Sequence, residues 1–432
     1  MKIGIDMLAV QSAGRLRGTG RYTRALVAEL LADARHQWVL YYYATPEQHR
    51  VGWDKRVERA PAHHCGDGGP ALASSFVPPY TPHTNVTEHT LPAHASFHKS
   101  VEELLGANAD GLDLLLLTCP LENFQGYLPP FPRRGRPKLA ALVYDLIPLR
   151  FPQQYLAHAG IAESYRRALA AVRQYDVLLT ISEACRQDVL ELLHVSPDRV
   201  LNVGTGSDAK VFYPPRGFSP QGDAAQWLAD RKIRQPFIYA MTALDHRKNL
   251  SGLISALERL PASLIDQHQF VITCATSSAG DAERARAAID RLDIAERVTF
   301  TGPLDDAGLR TLYQHCAAFV FPSRYEGFGL PLIEAMQCGA PVIGGRNSSQ
   351  IEVVGEAGLL ADVDDPNRLA EAIAKLLSDA PLAARCRERG PQQATQFTWQ
   401  AAAGLCLDAF DTTAKRPRPS TLFKTLAARG RL

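Results

Sequence analysis

Short apolar runs alternate with helix-like patterns over most of the chain, and this alternation limits the fold more than any other feature of the sequence. Residues 2–6 form the first predicted strand, and residues 19–32 then carry apolar side chains at helical spacing. Repeated strand–helix units are typical of parallel sheets, so the sequence predicts an α/β protein. The further predicted strands are 38–43, 112–117, 139–143, 177–181, 237–243, 269–274, 297–301, 318–321 and 341–344, and the further predicted helices are 158–173, 183–194, 249–259, 280–291, 306–315, 331–338 and 367–378.

The chain has 432 residues, which is enough for two or three domains. A proline-rich segment at 214–236 is predicted to be a linker, because the strand–helix alternation restarts after it. The strand–helix units that follow describe a complete Rossmann-like domain, and the first half of the chain describes a longer one. We therefore predict domains at 1–225 and 226–398 that face each other across a cleft, where ligands commonly bind.

Residues 50–110 interrupt the alternation and are rich in Pro, Gly, Ser and His. A metal site is conceivable there, but the histidine spacing matches no ligand template and acidic partners are few. We predict a loop-rich insertion in the N-terminal domain. The histidines of this segment are His63, His64, His83, His89, His94 and His98.

Charge and cysteine content argue against several classes of protein. Lys and Arg number 47 against 45 Asp and Glu, whereas an obligatory nucleic-acid partner usually needs a strong basic excess. No stretch approaches the roughly 18 apolar residues of a membrane span, and the N-terminus predicts a strand rather than a signal peptide. No two of the eight cysteines lie closer than 20 residues, so no CxxC unit exists and a reduced cytosolic protein is expected.

The most informative string is EGFGLPLIEAMQCGAPVI, which begins at Glu326 between two predicted strands. Gly327 and Gly329 allow the backbone to approach a ligand closely, and Pro331 suits the first turn of a helix. Free N–H groups at that helix start can hold phosphate oxygens, while Glu326 and Glu334 can accept hydrogen bonds from sugar and ribose hydroxyls. One Glu alone would be explained by the helix dipole. The combination favours a sugar-nucleotide site.

This string resembles the E-x7-E region of the family-4 retaining glycosyltransferases, whose two Rossmann-like domains form the fold called GT-B. The resemblance spans most of the chain and implies a role for each residue that matches the motif. Glu326 would lie beside the donor sugar. The N–H groups of Phe328, Gly329 and Leu330 would contact the donor diphosphate, and Glu334 would bind the ribose.

A basic pair lies in the string LDHRKN, residues 244–249. Arg247 and Lys248 can neutralise a diphosphate as its leaving charge develops. Two solvated charges are the alternative, although cations at a helix N-terminus are unfavourable. The position resembles the basic pair of the family, but Thr242 and Ala243 replace the Gly-Arg or Gly-Ser of many relatives. Lys248 is therefore favoured over Arg247 as the catalytic cation.

The string GRLRGTGRYT, residues 14–23, lies between the first predicted strand and the first predicted helix. Gly18 and Gly20 allow a tight turn, and Arg21 adds positive charge. The string matches neither the GxGxxG fingerprint nor the P-loop. It resembles the glycine loop of the family, which implies that Gly18, Thr19 and Gly20 approach the donor diphosphate through their N–H groups.

The string VYDLIPLRFP, residues 143–152, follows a buried predicted strand. Asp145 is predicted to face the cleft as a catalytic residue. Many relatives carry His-Asp here and their His contacts the donor sugar, so the resemblance gives Tyr144 a donor-binding position. Ser182 and Arg186 also match a family pattern, but a structural role fits them equally well, since Ser182 can cap the next helix.

The resemblance implies transfer of a hexose with retention, by front-face attack in which a donor phosphate oxygen helps to remove the acceptor proton. No cofactor and no divalent metal are expected, because Lys248, Arg247 and helix N–H groups carry out the neutralisation. GDP-mannose is the favoured donor and a UDP-sugar the second, because segments of the chain resemble the mannosyltransferase-like branch that builds bacterial surface polysaccharides. The acceptor would be a saccharide or a lipid-diphosphate-linked saccharide, bound by the N-terminal domain near residues 50–130.

The C-terminal segment is helical in pattern from Trp399, and residues 399–432 are expected to pack back on the N-terminal domain. After Asp411 the tail contains only basic charges, so a solvated tail and a contact with an anionic membrane surface or a pyrophosphate-linked lipid both stay open. We expect the protein in the cytoplasm, with the inner face of the membrane as the alternative. The basic residues of the tail are Lys415, Arg416, Arg418, Lys424, Arg429 and Arg431.

Other function classes also stay open. A GT-B protein that has lost turnover would act as a binding or scaffold protein, and Thr242, Ala243 and Tyr144 are the support for that alternative. A nucleotide-sugar epimerase of the same fold is the nearest enzymatic alternative. A nucleotide-dependent oxidoreductase is disfavoured, because the chain lacks GxGxxG.

Overall fold

The structure is a computed structural model of the chain. It describes residues 1–11, 18–43, 85–91, 108, 110–121, 136–215, 223–275, 279–290 and 294–417.

Two parallel sheets form the framework, and the first belongs to the N-terminal half. Its seven strands have the order β3-β2-β1-β4-β5-β6-β7, which contains the 3-2-1-4-5 order of a Rossmann-like sheet. All neighbouring strands in it run parallel. The strands are β1 (Lys2–Asp6), β2 (Gln37–Tyr43), β3 (Val86–Leu91), β4 (Leu114–Leu117), β5 (Lys138–Val143), β6 (Val177–Thr180) and β7 (Val200–Asn202).

The second sheet belongs to the C-terminal half and has six parallel strands in the order β10-β9-β8-β11-β12-β13. This is the 3-2-1-4-5-6 order of a Rossmann-like domain. Every residue of the central strands β11 and β12 is buried, as expected for a parallel sheet with both faces covered. The strands are β8 (Phe237–Ala243), β9 (Gln269–Ala275), β10 (Val298–Phe300), β11 (Ala318–Phe321), β12 (Val342–Gly345) and β13 (Leu359–Ala361).

Helices connect the strands in both halves. The helices of the N-terminal half are α1 (Leu8–Gln11), α2 (Gly18–Leu31), α3 (Ile147–Arg150), α4 (Pro152–Tyr155), α5 (Ala159–Val172) and α6 (Glu183–Leu193). The later helices are α7 (Asp223–Asp230), α8 (Leu250–Leu257), α9 (Ala262–Gln267), α10 (Ala279–Ile289), α11 (Asp306–His315), α12 (Leu330–Gln337), α13 (Gln350–Val354), α14 (Pro366–Ser378), α15 (Ala380–Ala394) and α16 (Trp399–Lys415).

The α/β fold with two Rossmann-like halves is confirmed. Strands β1, β8 and β11 and helix α11 have the predicted ends, and the other predicted elements differ from the structure by a few residues at most. The domain limits at 1–225 and 226–398 stay a prediction. The first sheet ends at Asn202 and the second begins at Phe237.

Two segments contain more regular structure than predicted. The predicted loop-rich insertion includes β3, an edge strand that pairs with β2. Because Thr87 and Glu88 in this strand are exposed and polar, the sequence shows no apolar run there. The predicted linker at 214–236 includes α7, which buries Leu228. The other histidines of the insertion lie outside the described residues, whereas His89 lies on β3.

The C-terminal helix α16 returns to the N-terminal half and packs against α2. The ring of Trp399 meets that of Tyr22 edge-on at 5.1 Å. At the other end of α16, Nζ of Lys138 donates to the carbonyl oxygen of Arg416 at 3.0 Å. This return of the chain confirms the predicted crossing of the C-terminal helix.

The basic tail is described only as far as residue 417. The guanidinium of Arg416 donates to the carbonyl oxygen of Asp198 at 2.7 Å. One basic residue of the tail therefore contacts the N-terminal half of the protein. Arg418, Lys424, Arg429 and Arg431 lie outside the described residues. Within the part of the chain that is described, no helix is long and apolar enough to cross a membrane.

The two halves are in direct contact at Gly327, in the loop after β11. The hydroxyl of Ser182 donates to the carbonyl oxygen of Gly327 at 2.6 Å. A Cβ at this position would overlap the carbonyl oxygen of Tyr144. Close by, the carboxylate of Glu352 accepts from the N–H groups of Glu183 and Ala184 at the start of α6. Backbone therefore meets backbone across the cleft, and only glycine fits at 327.

We predict that Gly327→Ala destabilises the protein by about 1–3 kcal/mol, because the rigid carbonyl of Tyr144 cannot move away from a new methyl group. Denaturant unfolding measures the effect. Gly404→Ala, in α16, is the matched control: no atom lies within 4 Å of its Cβ position, so it should be neutral or stabilising. Equal stability of Gly327→Ala and the unmodified protein would show that the halves do not meet in this way.

Candidate active site

A carboxylate and two cations meet where β8 and β11 end. These strands are parallel neighbours, so their carboxyl ends lie at the same edge of the sheet. Arg247 Nη1 contacts Glu326 Oε2 at 2.6 Å, and Lys248 Nζ contacts Glu326 Oε1 at 2.6 Å. Each oxygen of Glu326 therefore has its own cation. The two distances are equal, so the choice of Lys248 over Arg247 stays a prediction.

The turn that carries the cations is held from several sides. Asp245 caps the short 3₁₀ turn His246–Lys248 by accepting from the N–H of Arg247 at 2.9 Å. The hydroxyl of Thr242 donates to the carbonyl oxygen of Lys248 at 2.7 Å. Thr242 thus braces the turn that presents Lys248.

Burial and neighbouring opposite charges shift the pKa values of Glu326 and Lys248 in opposite directions. Burial alone would raise the pKa of Glu326, but the charges of Arg247 and Lys248 outweigh it and the pKa lies below the ordinary value. Burial lowers the pKa of Lys248, the adjacent Arg247 lowers it further, and Glu326 offsets only part of the shift. Glu326 is therefore a carboxylate at neutral pH and a poor proton donor.

Asp145 faces this cluster from the N-terminal half. Its Oδ1 accepts from the N–H of Ile147 at 3.0 Å, and its Cβ lies close to Gly327. Burial raises the pKa of Asp145, and the charge of Arg247 offsets part of the rise. The structure thus brings Asp145 to the same cleft as Glu326.

The loop between Glu326 and α12 has the shape of an anion-binding helix start. Gly329 has φ of +103°, a conformation that favours glycine, and α12 begins directly after it. The hydroxyl of Ser349 contacts the carbonyl oxygens of Glu326 and Phe328 at 2.9 and 2.8 Å. Pro331 has no N–H, and the N–H of Leu332 donates to the carbonyl oxygen of Gly329 at 2.9 Å. The predicted diphosphate contact through the N–H groups of Phe328, Gly329 and Leu330 stays a prediction.

Glu334 lies one turn further along α12, and its side chain is 3% exposed. Its Oε1 pairs with Arg21 of α2 at 2.9 Å, so this contact joins the two halves. Burial raises the pKa of Glu334 to about 7, the charge of Arg21 opposes the rise, and Asp306 adds to it. The hydroxyl of Tyr313 lies beside Glu334, but neither it nor Oε2 completes a hydrogen bond of normal geometry with the described residues.

The predicted glycine loop is described only from Gly18. Gly18, Thr19 and Gly20 form the first turn of α2 rather than a loop, and residues 12–17 lie outside the described part of the chain. A first turn also has free N–H groups, so a phosphate contact through these residues stays a prediction.

Tyr144 is directed toward its own half of the molecule. Its hydroxyl and that of Thr23 form a 2.7 Å hydrogen bond, and its ring meets Tyr22 edge-on. The donor-binding role of the Tyr144 side chain stays a prediction, whereas its carbonyl oxygen is what requires glycine at 327.

Ser182 caps α6, as the sequence suggested, by accepting from the N–H of Cys185 at 3.0 Å. It also donates to Gly327, which no local pattern indicated. Arg186 Nε donates to the carbonyl oxygen of Val200, a structural contact within the N-terminal half.

Several residues of the site were missed in the sequence. The hydroxyl of Tyr325 bonds both carboxylate oxygens of Asp188 at 2.8 Å, and the ring of Phe151 lies edge-on to Tyr325. The hydroxyl of Tyr155 bonds Asp245 at 2.5 Å. The only available signal was the position of Tyr325 beside Glu326. Among the described residues, no group of three or more His, Cys, Asp or Glu side chains could hold a metal ion.

Residues 226–393 match the family described as glycosyl transferases, group 1. The segment that contains the cations, both glutamates and α12 is therefore a group 1 glycosyltransferase domain, in a chain of GT-B fold.

Curated relatives and solved structures extend the comparison to the whole chain. The serotype-specific mannosyltransferase WbdA of Escherichia coli is 26% identical over 415 residues, which cover 95% of this chain and 48% of that protein. O-antigen chain mannosyltransferase B of Escherichia coli is 29% identical over 234 residues, or 54% of this chain and 60% of that protein. The chain thus spans about half of WbdA and less than two thirds of mannosyltransferase B.

Two solved structures share the fold at low sequence identity. Sucrose-phosphate synthase from Thermosynechococcus elongatus superposes with a TM-score of 0.66 at 20% identity, covering 95% of this chain and 98% of that one. Anabaena HepE in complex with UDP and glucose also superposes with a TM-score of 0.66, at 16% identity, covering 95% of this chain and all of that one. Both similarities concern the two-domain fold.

The raised pKa of Glu334 predicts a pH-dependent stability. Because its folded-state pKa lies near 7, above the ordinary 4.5, the stabilisation it contributes is complete below about pH 4.5 and is lost as the pH rises through about 7. Glu334→Gln removes this dependence. The unfolding free energy of the unmodified protein relative to Glu334→Gln should therefore fall by on the order of 3 kcal/mol between about pH 5 and pH 8.

Chemical denaturation at several pH values measures this difference. Glu371→Gln, at an exposed position on α14, controls for the introduction of glutamine. A difference between the unmodified protein and Glu334→Gln that is constant with pH, or that grows in the opposite direction, would contradict the burial of an ionisable carboxyl at this position.

Proposed function

We propose that the chain is a retaining hexosyltransferase that moves a sugar from a nucleotide donor to a saccharide acceptor. The observation that supports this most is the cluster of Glu326, Arg247 and Lys248, which lies beside the start of α12 and faces Asp145 across the cleft. Such an arrangement offers cations and N–H groups to a leaving diphosphate, and a stable carboxylate to an oxocarbenium-like sugar.

In the proposed reaction, the acceptor hydroxyl oxygen forms a bond to the anomeric carbon on the face from which the diphosphate leaves. The bond between the anomeric carbon and the phosphate oxygen breaks, and its electron pair goes to the nucleoside diphosphate. The acceptor proton passes to a donor phosphate oxygen. Lys248 and Arg247 stabilise the charge that develops on the diphosphate, and Asp145 orients the acceptor hydroxyl.

In this proposal Arg247 and Lys248 bind both the Glu326 carboxylate and the donor diphosphate. Arg247 and Lys248 are about one fifth exposed, so their free donor positions can reach a ligand in the cleft. The depressed pKa of Glu326 keeps this carboxylate ionised beside the sugar. We propose that neither a divalent metal nor a cofactor takes part, because these cations and the helix N–H groups supply the positive charge.

Similarity to known glycosyltransferases supports a choice of sugar donor and of biosynthetic process for this chain. Its curated relatives include mannosyltransferases, two of them named for serotype and O-antigen, which favours GDP-mannose and the synthesis of a surface polysaccharide. A structural neighbour that holds UDP and glucose keeps a UDP-sugar as the second choice. We propose a saccharide or lipid-diphosphate-linked acceptor, and a site of action in the cytoplasm, at the inner face of the membrane if the acceptor is lipid-linked.

A screen against GDP- and UDP-sugars, read by thermal shift with EDTA present, tests the donor site. One nucleotide class should raise the melting temperature, because a ligand that binds only the folded state stabilises it by mass action. We propose that Glu334 binds the donor ribose, so we expect this shift to fall in Glu334→Gln as well as in Lys248→Met. Lys375→Met, at an exposed position on α14, is the matched control and should keep the full shift.

The alternative functions give other results in the same screen. No shift with any nucleotide sugar, from well-folded protein, would contradict the proposal and favour a scaffold. Release of an epimerised sugar nucleotide without acceptor would favour an epimerase. A shift that EDTA abolishes would contradict the proposed independence from metal.

A further inference from the structure

An arginine from the N-terminal half occupies the carboxylate that the proposed function assigns to the donor ribose. Arg21 Nη2 lies 2.9 Å from Oε1 of Glu334 and 3.3 Å from Oδ1 of Asp306. Arg21 belongs to α2, whereas Glu334 and Asp306 belong to α12 and α11 in the glycosyltransferase domain. One side chain therefore bridges the cleft to two carboxylates.

The accessibility of these groups limits what else can reach Glu334. The Glu334 side chain is 3% exposed, while those of Arg21 and Asp306 are 31% and 53% exposed. Oε2 of Glu334 is buried next to Tyr313. Oε1 is the atom that Arg21 holds, so a ribose hydroxyl that bonds this oxygen must share or replace the Arg21 contact.

We propose that Arg21 is a positioning residue that competes with the donor ribose for Glu334. When the nucleotide binds, Arg21 would remain paired with Asp306. This inference rests on the proposed function, which gives Glu334 the ribose. Asp306 is already in contact with Arg21 and is half-exposed. A small rotation of the guanidinium toward Asp306 would free Oε1 of Glu334 for a ribose hydroxyl without leaving a cation unpaired.

The exchange has a thermodynamic consequence. If Arg21 lowers the affinity for the nucleoside, the nucleoside must weaken the Arg21–Glu334 contact by the same factor, because coupling between two binding events is reciprocal. Donor binding would then loosen one of the links between α2 and the glycosyltransferase domain. The contacts at Gly327 and Glu352, which do not involve Glu334, would remain.

Guanosine and uridine test this competition, because they carry the ribose without the phosphates that a cation would attract. In titrations at a pH above 7, Arg21→Gln should bind the nucleoside about fivefold more tightly than the unmodified protein, or more. Asp306→Asn should bind it more weakly, since Arg21 then has only Glu334. Arg166→Gln is the control, an exposed arginine on α5 in the same half of the protein, and should leave the affinity unchanged.

Glu334→Gln separates this inference from the proposed function. Arg21→Gln should give no gain in the Glu334→Gln background. Nucleoside binding that depends on Glu334 but is unchanged or weaker in folded Arg21→Gln would overturn the competition and leave the ribose site intact. Nucleoside binding that is indifferent to Glu334→Gln would instead contradict the ribose site itself, and the competition with it.

Discussion

A single buried carboxylate, Glu326, holds two cations that come from the end of the neighbouring strand. Removal of Glu326 would leave two cations in poorly hydrated positions without their partner, which is far more costly than the loss of an exposed ion pair. The parallel pairing of β8 with β11 makes the arrangement possible, because it brings the turn at 246–248 and the loop at 322–329 to the same edge. That loop contains Gly327, whose backbone packs directly against the N-terminal half.

The two glutamates of the E-x7-E string lie on the same loop and helix, yet they have opposite electrostatic environments. Two cations lower the pKa of Glu326, whereas burial with only one cation, and with Asp306 nearby, raises that of Glu334 to about 7. When the surroundings of two carboxyl groups shift their pKa values in opposite directions, the two groups usually have different tasks. Here one carboxylate stays charged beside the proposed sugar, and the other can change partners.

Local patterns were sufficient to predict the sheets and most helices, because buried parallel strands such as β11 are continuous apolar runs bounded by polar turns. Pro331 and Gly329 likewise marked the start of α12. The edge strand β3 escaped prediction because solvent covers part of it, so its composition is that of a loop. The contacts between distant segments were not predictable either: nothing near Arg21 in the sequence indicates Glu334, and nothing near Ser182 indicates Gly327. Family resemblance named the site residues, but only the structure shows that Arg247 and Lys248 already have a partner in Glu326.

A crystal structure of the protein with GDP or UDP tests the central claim most directly. The expected result is a diphosphate held by Lys248, Arg247 and the N–H groups at the start of α12, with the ribose hydroxyls on Glu334. A nucleotide bound outside the cleft, or one whose diphosphate lies away from Lys248 and Arg247, would contradict the proposed donor site.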